Sequence, residues 1–146
     1  PEAVADLSER LFRMGCYEIS LGDTIGRGTP LEAQAMVEAV TARVPREAVA
    51  GHFHYTYGQA LANVLAVMER GIAIFDSSVA GLGGCPYAKG ATGNLASEDL
   101  IYMLDGMGVS SGVDLRRLAA AGNAISQVLG RESGSRVARA MNRTAS

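Results

Sequence analysis

The sequence predicts an α/β protein built on parallel strands. Three observations carry that prediction. Short apolar runs rich in β-branched residues alternate with segments whose apolar residues recur at helical spacing. Capping residues and glycines fall at the boundaries between them. Polar residues of chemical interest gather where the strands end, which is where parallel α/β sheets keep their sites.

Each element has its own sequence signals. Pro1 to Met14 places Val4, Leu7, Leu11 and Met14 one helical turn apart and stops at Gly15, a common helix-ending residue. "CYEISLGD" (16–23) supplies a strand with Glu18 as a paired acid in its middle, and "GDTIGRGTP" (22–30) has the composition of a turn. Thr29, Pro30 and Glu32 form a capping box with proline at the first helical position, so a helix runs from there to about Arg43. "VAGHFHY" (49–55) is the second strand. Thr56 and Gln59 repeat the capping box ahead of a helix carrying Leu61, Val64, Leu65 and Met68 and ending at Gly71. "IAIFDSSVAG" (72–81) is the third strand. Two further helices are expected, Ser97 to Leu104 and Asp114 to about Leu129, the second with Leu115, Leu118, Ile125 and Val128 as its apolar stripe. Residues 131–146 read as a polar, loosely held tail. Parallel neighbours need a crossover long enough for a helix, and each strand here is followed by one. Three strands make either a small open sheet or the end of a larger barrel.

Composition narrows the classes of function. The 146 residues are enough for one core, and 13 basic against 15 acidic side chains give no general electrostatic attraction to nucleic acid or an anionic membrane. Two cysteines, Cys16 and Cys85, fit a reducing compartment, and no apolar run approaches the ~20 residues of a membrane span. The expectation is a soluble protein of the bacterial cytoplasm, with the mitochondrial matrix as the second choice. The chain opens at Pro1 in what reads as mid-helix, which suggests part of a longer protein.

Candidate site residues sit at strand ends. His52 and His54 are two apart, so an extended strand turns both imidazoles to one face, where two nitrogens can chelate a divalent metal. An isolated His-x-His is more often a core residue beside an exposed one. These are the only two histidines of the chain, however, and both fall at a strand's C-terminal end, which favours ligands. Asp23 and Asp76 end strands too, where a carboxylate serves equally as a turn-former, and both roles stay open.

"GLGGCPYAKGATGN" (81–94) sets one cysteine among five glycines. Such a loop would present Cys85 as a thiol over the mouth of the site, with Pro86 stiffening the turn. A free cysteine is commonly a small buried hydrophobe, but glycines would bury it poorly. Lys89 is a solvated charge or an anion contact. Asn94 offers an amide oxygen suited to Mg²⁺ or Mn²⁺.

These stretches carry a resemblance. "EISLGDTIGRGTP", "HFHYTYGQALAN" and "FDSSVAGLGGCPYAKGATGNLASEDLIYML" resemble successive signatures of the 3-hydroxy-3-methylglutaryl-CoA lyase family, metal-dependent (β/α)₈ barrels. The Gly-Leu-Gly-Gly-Cys-Pro loop is the most specific of them, because related carbon–carbon ligases share the paired histidines without it. The resemblance implies that residues 1–146 are the C-terminal portion of a TIM-barrel catalytic domain, holding the last three of its strands. It implies His52, His54 and Asn94 as metal ligands, Cys85 as catalytic thiol, His52 as a candidate base, Asp23 as an active-site acid and Glu98 as a further polar residue nearby. The implied activity is retro-Claisen cleavage of an acyl-CoA to acetyl-CoA and acetoacetate by a Mg²⁺ or Mn²⁺ enzyme that is a homo-oligomer when complete. The family's fourth protein ligand, an aspartate on the first strand, has no counterpart here. Tyr55 stands where the family usually has aspartate, and Arg27 where it has a small apolar residue. A catalytically incomplete fragment, or a ligase or aldolase of the same barrel group, are the alternatives.

Overall fold

Strand–helix alternation demands parallel pairing, and three parallel strands are what form. The computed structural model describes residues 1–84 and 93–144 and divides into two compact units, Pro1–Asp76 and Ser77–Ser146. In the first unit, helix α1 (Glu2–Arg13), strand β1 (Ile19–Asp23), helix α2 (Pro30–Thr41), strand β2 (Val49–Phe53), helix α3 (Ala60–Met68) and strand β3 (Ile74–Asp76) succeed one another. The sheet order is β1-β2-β3, all parallel, and the register aligns Gly22 with His52 and His52 with Asp76.

One face of this sheet is the core side. Ile19, Val49 and Phe53 are buried there, and α2 packs between α1 and α3. Beside β1, an edge strand, a cavity of about 340 Å³ is lined by Leu7, Leu11, Leu21, Val37 and Phe53. The other face carries Ser20, Gly22, His52 and Asp76, so the strand's period of two sorts apolar from polar chemistry.

Helix α2 starts as its sequence requires. Glu32 accepts hydrogen bonds from the Thr29 N–H at 2.9 Å and its hydroxyl at 2.8 Å, completing the capping box, and these bonds hold the Glu32 carboxyl below its ordinary value. Helix α3 departs from expectation. It begins at Ala60 with Gln59 flanking it, because Gly58 takes a left-handed φ of +73° that breaks the path from Thr56. Its buried face is Ala60, Asn63, Val64 and Val67, so Val64 of the expected stripe is buried while Leu65 is exposed. Glu18 precedes β1 instead of lying in its middle, since pairing with β2 begins only at Ile19.

The second unit opens with a short 3₁₀ turn, Val79–Gly81, and continues through helices α4 (Ser97–Gly106), α5 (Leu115–Val128) and α6 (Arg136–Thr144). The third strand ends at Asp76, earlier than its sequence suggested, and residue 78 pairs in parallel with Ala96 inside the second unit: the Ser78 N–H donates to Leu95 O and the Ser97 N–H to Ser78 O, each at 2.9 Å. In α5, Ala119, Gly122 and Ser126 are buried while Val128 is 81% exposed, so small residues and not the apolar stripe mark its inner face. Asp114 caps this helix through the Arg117 N–H.

The polar tail is a correction. Residues 136–144 form α6, and Asp99 of α4 holds its start: Oδ1 accepts from the Ser135 hydroxyl at 2.6 Å and the Val137 N–H at 3.0 Å, and Oδ2 from the Arg136 N–H at 3.3 Å. A buried carboxylate at a helix N-terminus satisfies donors that the helix itself cannot. Polarity of the segment concealed a docked helix.

Candidate metal and acid–base site

In the first unit the paired histidines meet as their spacing predicts. Their ring centroids are 5.3 Å apart with planes tilted by 55°. His52 is half-exposed at the end of β2, and His54, just past it, is buried at 7% exposure. His52 Nδ1 lies 3.4 Å from Asp76 Oδ2, and the same oxygen accepts the Ser20 hydroxyl at 2.9 Å. A carboxylate against one ring nitrogen leaves the other, Nε2, to face a cation or a proton, the arrangement that commonly backs metal-bound histidine. Asp76 is therefore engaged with His52 and not merely a turn-former. Ser20 escaped sequence reasoning, although its place two residues before Gly22 puts it on the histidine face.

Asp23 is engaged with its own loop. Oδ1 accepts the Arg27 N–H at 3.1 Å and Oδ2 the Gly28 N–H at 2.9 Å, while the Asn63 amide donates to Gly28 O at 2.8 Å. The loop so held lies directly on the histidine segment. Gly26 has φ +65°, and a Cβ there would stand 2.8 Å from His54 O and 2.9 Å from Thr56 N, so only glycine fits. The turn-forming role of Asp23 thus serves the placing of His54.

In the second unit Asn94 is the informative residue. Its Nδ2 donates to Leu82 O at 2.9 Å, and its Oδ1 is buried without a hydrogen-bond partner among the described residues. A buried acceptor with nothing to accept is costly, and an oxygen-preferring cation would relieve it. Cys85, Pro86 and Lys89 lie outside the described residues. Among the described residues no three His, Cys, Asp or Glu side chains converge on a point that could hold a metal. By donor chemistry, His52 and His54 with Asp76 behind His52 suit a divalent metal within the first unit, and the Asn94 amide oxygen suits an oxygen-preferring cation within the second.

Glu98 is fully buried, and both of its oxygens lie 3.0 Å from the Ala80 N–H that donates to them. Burial, with the neighbouring Asp99 charge adding to it, pushes its carboxyl above the usual carboxylate range, against the lowering effect of backbone hydrogen bonds from Glu98 itself and Ala80. Gly122 of α5 covers the carboxylate so closely that a Cβ would stand 2.2 Å from Oε1. Gly122→Ala should therefore force α5 or the carboxylate to move and lower stability by about 1–3 kcal/mol, the usual scale of overpacking. Denaturant unfolding measures it, and a change under about 0.5 kcal/mol, the usual scale of a neutral surface substitution, would show that the carboxylate has room to retreat.

The family model described as HMGL-like matches residues 1–125. The chain belongs to the HMGL-like family. One relative, described as 3-hydroxy-3-isohexenylglutaryl-CoA/hydroxy-methylglutaryl-CoA lyase, from Pseudomonas aeruginosa, is 60% identical over 141 residues, which is 97% of this chain and 47% of that protein. A crystal structure of hydroxymethylglutaryl-CoA lyase from Pseudomonas aeruginosa superposes with a TM-score of 0.95 at 58% identity, covering 99% of this chain and 48% of that one. The structure of an HMG-CoA lyase from Acinetobacter baumannii in complex with coenzyme A and 3-methylmalate superposes with a TM-score of 0.89 at 37% identity, covering 94% of this chain and 45% of that one. This HMGL-like chain thus spans under half the length of these relatives. No helix among its described residues is long and apolar enough to cross a membrane.

Proposed function

We propose that this chain is the C-terminal portion of a hydroxymethylglutaryl-CoA lyase, a divalent-metal enzyme that cleaves 3-hydroxy-3-methylglutaryl-CoA to acetyl-CoA and acetoacetate. The observation that carries the reading is the paired histidines, one backed by Asp76, in a family member whose Asn94 keeps an unpartnered buried oxygen. The unpaired edge of β1 and the apolar cavity beside it fit continuation of the sheet into a barrel.

His52, His54 and Asn94 would hold Mg²⁺ or Mn²⁺, which when bound polarises the substrate oxygens and favours loss of the hydroxyl proton. Asp76 fixes the His52 ring so that Nε2 faces the site, where it either ligates or takes a proton. Once the tertiary hydroxyl has lost its proton, the carbon–carbon bond breaks, its electron pair passes to the acetyl-CoA carbon, and a proton from the Cys85 thiol completes that product. Asp23 acts through the loop it ties down over His54. The partner is a small-molecule acyl-CoA, consistent with a relative of known structure that holds coenzyme A.

The test is direct. Full-length protein with Mn²⁺ or Mg²⁺ should release acetoacetate from 3-hydroxy-3-methylglutaryl-CoA, and chelation should abolish the release. Failure under metal excess would leave the chain a family member without the activity. Tyr55 bears on that outcome. Half-buried next to His54, it stands where a carboxylate would orient a ligating imidazole. Tyr55→Asp should tighten Mn²⁺ binding up to about tenfold, the low end of what an orienting carboxylate contributes. Calorimetric titration reads it, and unchanged affinity would show that the site tolerates the phenol.

A further inference from the structure

Ala80 is the one non-glycine residue with positive φ among the described residues, at φ +54° and ψ +19°. A side chain in the left-handed region is unfavourable, so the surroundings must hold it there. They do so from three directions. The Glu98 carboxylate of α4 takes the Ala80 N–H on both oxygens, the Gly134 N–H donates to Ala80 O at 2.9 Å, and Gly122 of α5 closes over Glu98 with no room for a methyl group. A fully buried carboxylate that takes only backbone N–H groups, its own and that of Ala80, adds little stability by itself, because the charge loses its water and gains no cation.

The segment after Ala80 gives the carboxylate its purpose. Gly81 and Leu82 begin the glycine-rich stretch, and its far end folds back on them: Asn94 donates to Leu82 O at 2.9 Å, and Gly93 lies so close that a Cβ would stand 1.8 Å from Gly81 O. The direction in which the chain leaves Ala80 therefore sets where Leu82 O sits. Leu82 O in turn fixes the amide of Asn94 and aims its unpartnered Oδ1.

We propose that Glu98 is a positioning residue: it holds Ala80 in its left-handed conformation and so places the Asn94 amide oxygen for metal. This deepens the reading of Asn94 as a ligand and rests on it. Glu98 touches neither metal nor substrate in this scheme. It acts through the Ala80 N–H.

Glycine adopts the left-handed region without cost, which makes the inference testable by rescue. In full-length protein, Glu98→Met, which keeps the length of the side chain but removes the acceptor, should weaken Mn²⁺ binding about tenfold, lower the unfolding midpoint and speed exchange of the residue 80 and 81 amides. Ala80→Gly alone should leave Mn²⁺ affinity within about twofold. The double variant Glu98→Met/Ala80→Gly should recover most of the affinity that Glu98→Met lost, a strongly non-additive cycle. Equal loss in the single and double variants would overturn the inference, since a glutamate acting on metal or substrate directly gains nothing from glycine at position 80. Full affinity in Glu98→Met would overturn it as well. Should Glu98→Met fail to fold, Glu98→Asp decides: its carboxylate is one methylene short of Ala80, so Ala80→Gly must again restore binding. Metal binding and amide exchange are read without substrate. Absence of lyase activity in the unaltered protein would count against the proposed reaction, whereas absence of Mn²⁺ binding would remove Asn94 as ligand and the positioning role with it.

Discussion

His54→Ala is expected to raise the Mn²⁺ or Mg²⁺ concentration for half-maximal activity by more than about 100-fold in the full-length protein, with a far smaller change in KM for the acyl-CoA. The scale comes from the behaviour of outlying groups: losing a residue that merely orients a ligand costs about 10–100-fold in affinity, and losing the ligand itself costs more. The geometry makes His54 a sterner test than His52. It is buried at 7% exposure, directly beneath Gly26, and its ring lies 5.3 Å from that of His52. A buried imidazole that only filled the core would, on truncation, lower stability and leave metal dependence alone. Metal titration and thermal unfolding of the same variant separate these outcomes. Unchanged metal dependence with a lowered midpoint would return His54 to a packing role and weaken the whole ligand set.

Much of this was legible because local rules and tertiary structure agreed. The period of two put His52 and His54 on one face, and the residues of the first capping box fixed the start of α2. What failed did so where tertiary contact outranks hydrophobicity. Leu65 and Val128 are apolar and at helical spacing, yet they are exposed, because α3 turns Ala60, Asn63, Val64 and Val67 inward and α5 turns Ala119, Gly122 and Ser126 inward. Residues 136–144 look like a solvated tail until Asp99, 37 positions before Arg136, supplies the helix with acceptors. The partnership of Asp76 with His52 depends on strand register, which a single sequence does not print. Nothing local marks Ala80 as left-handed. The information lies in Glu98 and in Gly122, whose lack of a side chain makes room for the carboxylate.

Cys85→Ala is the second large effect expected. Turnover in the full-length enzyme should fall by roughly 10²-fold or more, the usual scale for removing a general acid, while metal affinity and acyl-CoA binding stay within a few-fold. The argument is chemical. Breaking the carbon–carbon bond leaves an electron pair on the acetyl-CoA carbon, and product forms only when a proton reaches it. A thiol can carry such a proton and hand it to carbon as a general acid. Cys85→Ser separates proton donation from shape. A hydroxyl preserves most of the volume but is a far weaker acid, so the serine variant should be nearly as slow as the alanine one. Single-turnover measurements with saturating metal would assign the loss to the step after bond breaking. If alanine lowers binding and turnover together, the cysteine is a structural part of its glycine-rich loop, and the proton must come from water or from His52.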